Sequence, residues 1–348
     1  MNSISTSSKI ETLQVIRGLA SIAVMLAHGS SMIDEKLDYQ FLNKLPILGA
    51  AGVDFFFVLS GFIIYYTSSS GKYNISSFLK KRFIRIYPIY WLVTLILIIQ
   101  FFVSPNPEKA HKGELDVILM SFTLFPYENY ILGVAWTLTY EVMFYLMFAL
   151  TFFKNPKIFI YAFFSWMTLI FLAYAFDFKS DIFAINALVK PIILEFMLGC
   201  LVAYCYKKYA EIKPFKYFFW LGLILLMILA TTSFQLRTAG LEQYNDDMFR
   251  VGFFGVPAAI LIFGVLYIPA VIPKLFVLFG DASYSLYLLH GSVLSVLLKI
   301  ILMLNFATMF GNPAGAIFLF AVTLFVSCLF YSLVEKNLLV FLNQRIVK

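Results

Sequence analysis

Leu13–Ile33 reads LQVIRGLASIAVMLAHGSSMI, an apolar run of 21 residues interrupted by one guanidinium and one imidazole. A helix needs roughly 20 mainly apolar residues to cross the hydrocarbon of a bilayer, so the run is read as a membrane span. Ionisable groups in hydrocarbon are expensive, and Arg17 and His28 are therefore read as functional. They stand eleven residues apart. On an ideal helix that is a rotation of about 20° and a rise of about 16 Å. Both side chains share one face at different depths, which describes a path from the interface to a buried reaction centre.

The rest of the chain has the same character. Of 348 residues, 61% are hydrophobic and 13% charged, with a mean hydropathy of +0.88; soluble proteins carry about 25% charged residues. The expected fold class is all-α: a polytopic membrane protein of about ten transmembrane helices, at 13–33, 49–67, 84–103, 131–153, 157–177, 186–206, 215–234, 251–268, 282–304 and 313–333. An even number of spans puts both termini on one side, and basic short loops mark that side as cytoplasmic. One set of connections carries Lys72, Lys80, Lys81, Arg82 and Arg85, then Lys207, Lys208, Lys213 and Lys216. The alternate set carries Asp34, Glu35 and Asp38, then Glu242, Asp246 and Asp247. The net charge of +7 is thus a topology signal, and no nucleic-acid partner is inferred.

A polar start and an apolar run interrupted by Arg17 argue against a cleaved signal peptide. Cys200, Cys205 and Cys328 fall inside expected spans without zinc or disulfide spacing, and are read as packing residues. No metal site is expected. With no repeat, linker or long loop, residues 1–348 are read as one integral membrane domain. Its helical core runs from about 13 to 335, with no separate soluble domain. The longest outer connection, 104–130, contains an apolar stretch from Leu115 to Phe125 that lies along the interface or re-enters the bilayer.

Other polar residues within spans are Asp54, Glu141, Glu195, His290 and Lys299. Lys299 is near a helix end and can snorkel; Asp54 reads equally as a paired structural acid. Glu141 lies about 15 Å inside its helix and His290 about 12 Å, a depth His28 shares. A carboxylate beside an imidazole makes a general base, since it orients the ring and stabilises its protonated form. The same groups also fit an interhelical hydrogen-bond cluster that only holds a bundle together. In Gly280–His290, GDASYSLYLLH, Asp281 is placed to cap a helix, while Ser283, Tyr287 and His290 recur at helical spacing as a polar stripe. Arg82 and Arg85, three apart, would pair on one helix face and suit the phosphates of a soluble donor such as coenzyme A. Positive-inside bias yields the same run.

Taken together these segments resemble the membrane acyltransferase 3 family, whose bacterial members O-acetylate lipopolysaccharide, exopolysaccharide and other exported glycans. The family's Arg-x10-His pattern matches Arg17 and His28, its Gly-Asp-x-Ser-Tyr-x-x-Tyr-Leu-x-His pattern matches Gly280–His290, and its Arg-x-x-Arg pattern matches Arg82 and Arg85. Gly52–Phe62 and Trp136–Glu141 also look like family segments, so the likeness runs from Leu13 to about Glu335. At Glu335-Lys336-Asn337 relatives often have proline in the third place.

The resemblance implies an O-acyltransferase in the cytoplasmic (inner) membrane of a bacterium. It would take an acyl group, most often acetyl from acetyl-CoA, and pass it to a hydroxyl of a glycan or glycolipid acceptor. It implies His28 as the catalytic residue with Glu141 assisting, and Arg17, Arg82 and Arg85 as donor-binding residues. Asp281, Ser283, Tyr287 and His290 would face the acceptor. Membrane lipid and separate glycan-assembly proteins are the expected partners, because the chain has no room for the additional esterase-like domain of some relatives. Intramembrane Glu and His also fit a transporter or flippase for a polar glycan lipid, which would consume no thioester. A purely structural membrane component would keep its product chemistry after His28→Ala.

Overall fold

A computed structural model of the chain describes residues 6–40, 45–71, 74–104, 107–209, 213–239, 246–268 and 272–346. Among them there is no strand, and ten helical stretches are long and apolar enough to cross a membrane. The first three are α1 (Thr6–Leu37), α2 (Leu45–Ser68) and α3 (Ile75–Val103). A short α4 (Leu115–Thr123) precedes α5 (Ala135–Phe152) and α6 (Pro156–Ala175). The sixth stretch is broken into α7 (Phe183–Leu188) and α8 (Ile193–Lys208), and α9 (Tyr217–Thr238) follows. The eighth joins α10 (Asp247–Arg250), a π turn at Val251–Gly255 and α11 (Val256–Val265). Then α12 (Lys274–Asp281) leads into α13 (Ser283–Met303), and α14 (Ala307–Phe310) into α15 (Pro313–Phe330). A second π turn, Tyr331–Glu335, carries the last stretch on into α16 (Lys336–Ile346).

Several expected boundaries are corrected. The third helix begins at Ile75, not 84, because Asn74 and Ser77 form a reciprocal capping box: the Ser77 amide donates to the Asn74 side chain at 2.8 Å, and the Asn74 amide to Ser77 Oγ at 3.1 Å. The basic run 80–85 therefore lies in a helix and not in a loop. The fourth span begins at Ala135, not 131, since the Ile131 amide is committed to Ser121 Oγ and its carbonyl to Lys112. The span expected at 186–206 is interrupted around Pro191, which lacks a backbone donor. Asp281 does not cap α13. It is the last residue of α12, and the cap position is held by Ala282 in a helical conformation without a side-chain bond. One helix feeds the next so directly that Ala282 and Leu286 find carbonyl partners four residues back.

The chain forms two compact units. The first comprises Met1–Tyr66 and Leu198–Lys336. Here α1 packs on α12, α13 and α15, and small residues permit the approach. A Cβ on Gly18 would meet the Gly280 amide at 2.8 Å, and one on Gly280 would collide with the Gln14 carbonyl. Met25, Ile33, Leu286, Leu294, Leu298 and Leu319 fill the space beyond. In the same unit α11 lies along α9, and Phe62, Tyr206 and Ile262 join α2, α8 and α11.

The second unit comprises Thr67–Met197 and Asn337–Lys348. Three donors on α3 fix the end of α4: Tyr87, Tyr90 and Trp91 bond the carbonyls of Thr123, Ser121 and Phe122 at 3.0, 2.9 and 2.8 Å. These carbonyls lie in the last turn of α4, which stops at Leu124 in the left-handed region, where the Leu124 amide also donates to the Ser121 carbonyl at 3.3 Å. Phe78, Phe148 and Phe153 pack together beside Phe144 and Phe196, whose rings stack at 4.9 Å.

Candidate functional site

In the first unit, α1 and α13 bring the two intramembrane histidines into contact. His28 Nδ1 lies 2.9 Å from His290 Nε2, with ring centroids 5.1 Å apart and planes inclined by 25°. His290 Nδ1 lies 3.1 Å from the carbonyl oxygen of Leu286, one turn back in its own helix. The two rings differ in access. His290 is 2% exposed whereas His28 is exposed, so of the two His28 offers an edge to a reactant.

Around this pair, Tyr287 packs at 6.2 Å from the His290 ring and edge-on to Phe56 at 5.6 Å. Ser283 is fully buried, and its hydroxyl makes no hydrogen bond among the described residues. Arg17 is half-buried about three turns before His28 on α1, its Nη1 donating to Gln14 Oε1 at 2.9 Å. Asp281 is outside the histidine cluster. It lines a cleft of about 450 Å³ together with Glu11, Lys274, Tyr331, Ser332 and Lys336.

The second unit holds the other candidates. Glu141 accepts a short hydrogen bond from Tyr145, one turn on in α5. The Tyr145 ring carries the Arg82 guanidinium at 5.4 Å, and Phe78 holds it at 5.5 Å. Arg82 and Glu141 are thus joined through a tyrosine, and Arg85 is half-buried one turn further along α3. In the connection before α5, Tyr127 donates to Asp116 at 2.6 Å; this and the Val117 amide hold the carboxyl below its usual range.

Three partners escaped the sequence. Tyr145 was signalled only by its i+4 spacing from Glu141. Arg250 sits one residue before the expected eighth span, yet it pairs with fully buried Asp54 at 2.9 Å. Glu335, at the end of an apolar run, is buried and accepts from Ser285 at 2.5 Å.

Comparison with known proteins bears on what these groups do. The family model for an acyltransferase domain, acyltransferase 3, matches residues 10–332, a range that contains every candidate residue. Over 276 residues the chain is 28% identical to the exopolysaccharide production protein ExoZ of Rhizobium meliloti (strain 1021), covering 72% of this chain and 78% of that protein. It is 24% identical over 330 residues to the peptidoglycan O-acetyltransferase OatA of Listeria monocytogenes, covering 82% of this chain and 50% of that one. With the acyltransferase MdmB of Streptomyces mycarofaciens it shares 28% identity over 152 residues, 41% of this chain and 39% of that one. No solved structure matches the chain.

Proposed function

The chain belongs to the acyltransferase 3 family, and from that premise we propose that it is a multi-pass enzyme of a bacterial inner membrane that O-acylates an exported glycan. The donor is acetyl-CoA and the acceptor a sugar hydroxyl. The observation that carries this reading is the contact between accessible His28 and buried His290, inside the segments that match the family. An imidazole with one nitrogen held by a partner and the other edge open is the arrangement a general base requires.

In the reaction the acceptor oxygen attacks the thioester carbonyl while His28 takes its proton. The carbon–sulfur bond breaks, and the thiolate leaves with that proton. An acyl-His28 relay reaches the same products in two steps. Arg82 and Arg85 serve the coenzyme phosphates from α3, and the rings of Phe78 and Tyr145 fix the plane of the Arg82 guanidinium. Arg17, held by Gln14, adds a cation on the face that carries His28.

The test is acetyl-CoA consumption by protein in nanodiscs with membrane glycolipid as acceptor. We expect His28→Ala to lose about 10²–10⁴-fold in kcat, the usual contribution of a general base. Arg82→Ala with Arg85→Ala should raise the donor KM by roughly tenfold or more, as expected for lost charge-assisted bonds. Glycolipid movement across the membrane without thioester loss would replace this reading with transport.

A further inference from the structure

Histidine contacts normally leave the proton positions open, because either ring nitrogen can carry the hydrogen. Here a third atom decides. The Leu286 oxygen is a carbonyl and can only accept, so the His290 nitrogen 3.1 Å away, Nδ1, must carry the proton. The opposite tautomer would set a ring lone pair against the carbonyl lone pairs at 3.1 Å, in a place 2% exposed. Neutral His290 is left with a lone pair on Nε2, and that is the atom 2.9 Å from His28 Nδ1. His28 must therefore carry its own proton on Nδ1 and donate it. Its Nε2 keeps the lone pair, on the ring that is exposed.

We propose that His290 is a positioning residue which, anchored by the Leu286 carbonyl, fixes His28 in the Nδ1–H tautomer and so presents His28 Nε2 as the base for acyl transfer. The assignment rests on the acyltransferase reading for its consequence and on the geometry alone for the tautomer. It replaces acceptor binding as the role of His290, whose burial keeps it from the acceptor. When His28 Nε2 takes the hydroxyl proton, the ring becomes an imidazolium that still donates from Nδ1 to His290 Nε2, so the contact persists through the step and no proton is lost or gained. Two orientations of the His28 ring otherwise compete, one of which would direct N–H at the reactant. A base with its lone pair turned away from the acceptor is inactive however close it lies.

The experiment pairs a spectroscopic readout with kinetics. The chain has only three histidines, His28, His111 and His290, so nitrogen-15 histidine spectra in nanodiscs can be assigned by single substitutions. Both His28 and His290 should show the neutral Nδ1–H pattern; an Nε2–H pattern at His28 overturns the proposal, whether or not any acyl donor is consumed. Kinetically, His290→Gln keeps an acceptor at the position of Nε2, whereas His290→Asn places its amide at the position of Nδ1 and His290→Phe keeps neither. Gln should retain most of wild-type kcat, while Asn and Phe lose about 10²–10⁴-fold with the acceptor KM little changed. Equal loss in all three variants, or a loss confined to KM, overturns it. If wild-type protein consumes no thioester, the functional reading fails while the spectra still decide the tautomer.

Discussion

A carboxylate and a guanidinium cannot enter hydrocarbon alone, and Asp54 and Arg250 enter it together, 2.9 Å apart, with Asp54 fully buried. Removing either residue takes this ion pair away from the other. Asp54→Ala should therefore destabilise the protein by about 3–5 kcal/mol, whereas Asp54→Leu with Arg250→Met should recover most of the loss. Thermal unfolding in detergent, followed by exposure of the buried Cys200 thiol, measures both. A second residue-scale pair follows the same logic at lower cost. Ser285→Ala strips a donor from buried Glu335 and should cost about 1–3 kcal/mol in that assay, and Glu335→Gln, which keeps an acceptor oxygen, less. What the sequence made legible here was which ionisable residues are out of place: His28, His290, Asp54. Partner identity was not legible, because Asp54 and Arg250 are 196 residues apart and nothing local in either segment encodes the other.

Helices form where the apolar runs say, but their ends and breaks follow polar detail that hydropathy ignores. The capping box at Asn74 and Ser77 extends α3 across Lys80–Arg85, where four basic residues around Phe83 and Ile84 look like a loop by charge. Pro191 splits a stretch that is apolar enough to be read as continuous. The contact of α1 with α12 shows what fixes one helix on another: Gly18 faces the backbone of Gly280 and Gly280 that of Gln14, and in a membrane such close approach is a main source of association. Gly280→Val should separate the two helices and lower the yield of folded protein. Gly291→Ala, at a helical position with nothing within 4 Å of the added carbon, should gain about 0.5–1 kcal/mol through helix propensity. Fluorescence-detected size exclusion of both variants beside wild type checks the contrast; a monodisperse Gly280→Val protein at wild-type yield would show that this approach is not required.

At the scale of the molecule, the ten spanning stretches among the described residues would place the N- and C-terminal ends on one side of the membrane if each crosses once. Which side depends on the loops. The connection between α6 and α7 holds Asp177, Lys179 and Asp181, while the end of α8 and the residues after it hold Lys207, Lys208, Lys213 and Lys216. By the positive-inside rule the excess of lysine in the latter is expected on the cytoplasmic side. In a background with Cys200, Cys205 and Cys328 replaced, Lys179→Cys should react with an impermeant maleimide on intact cells and Lys208→Cys only after permeabilisation; both side chains are exposed in the fold. The same alternation would set the start of α3, with Arg82 and Arg85, on the cytoplasmic side. On the proposed reading the acetyl-CoA donor would approach those guanidiniums from that side. The reverse labelling pattern would turn Arg82 and Arg85 away from the acetyl-CoA pool, and the donor would then have to be a molecule available outside the cell.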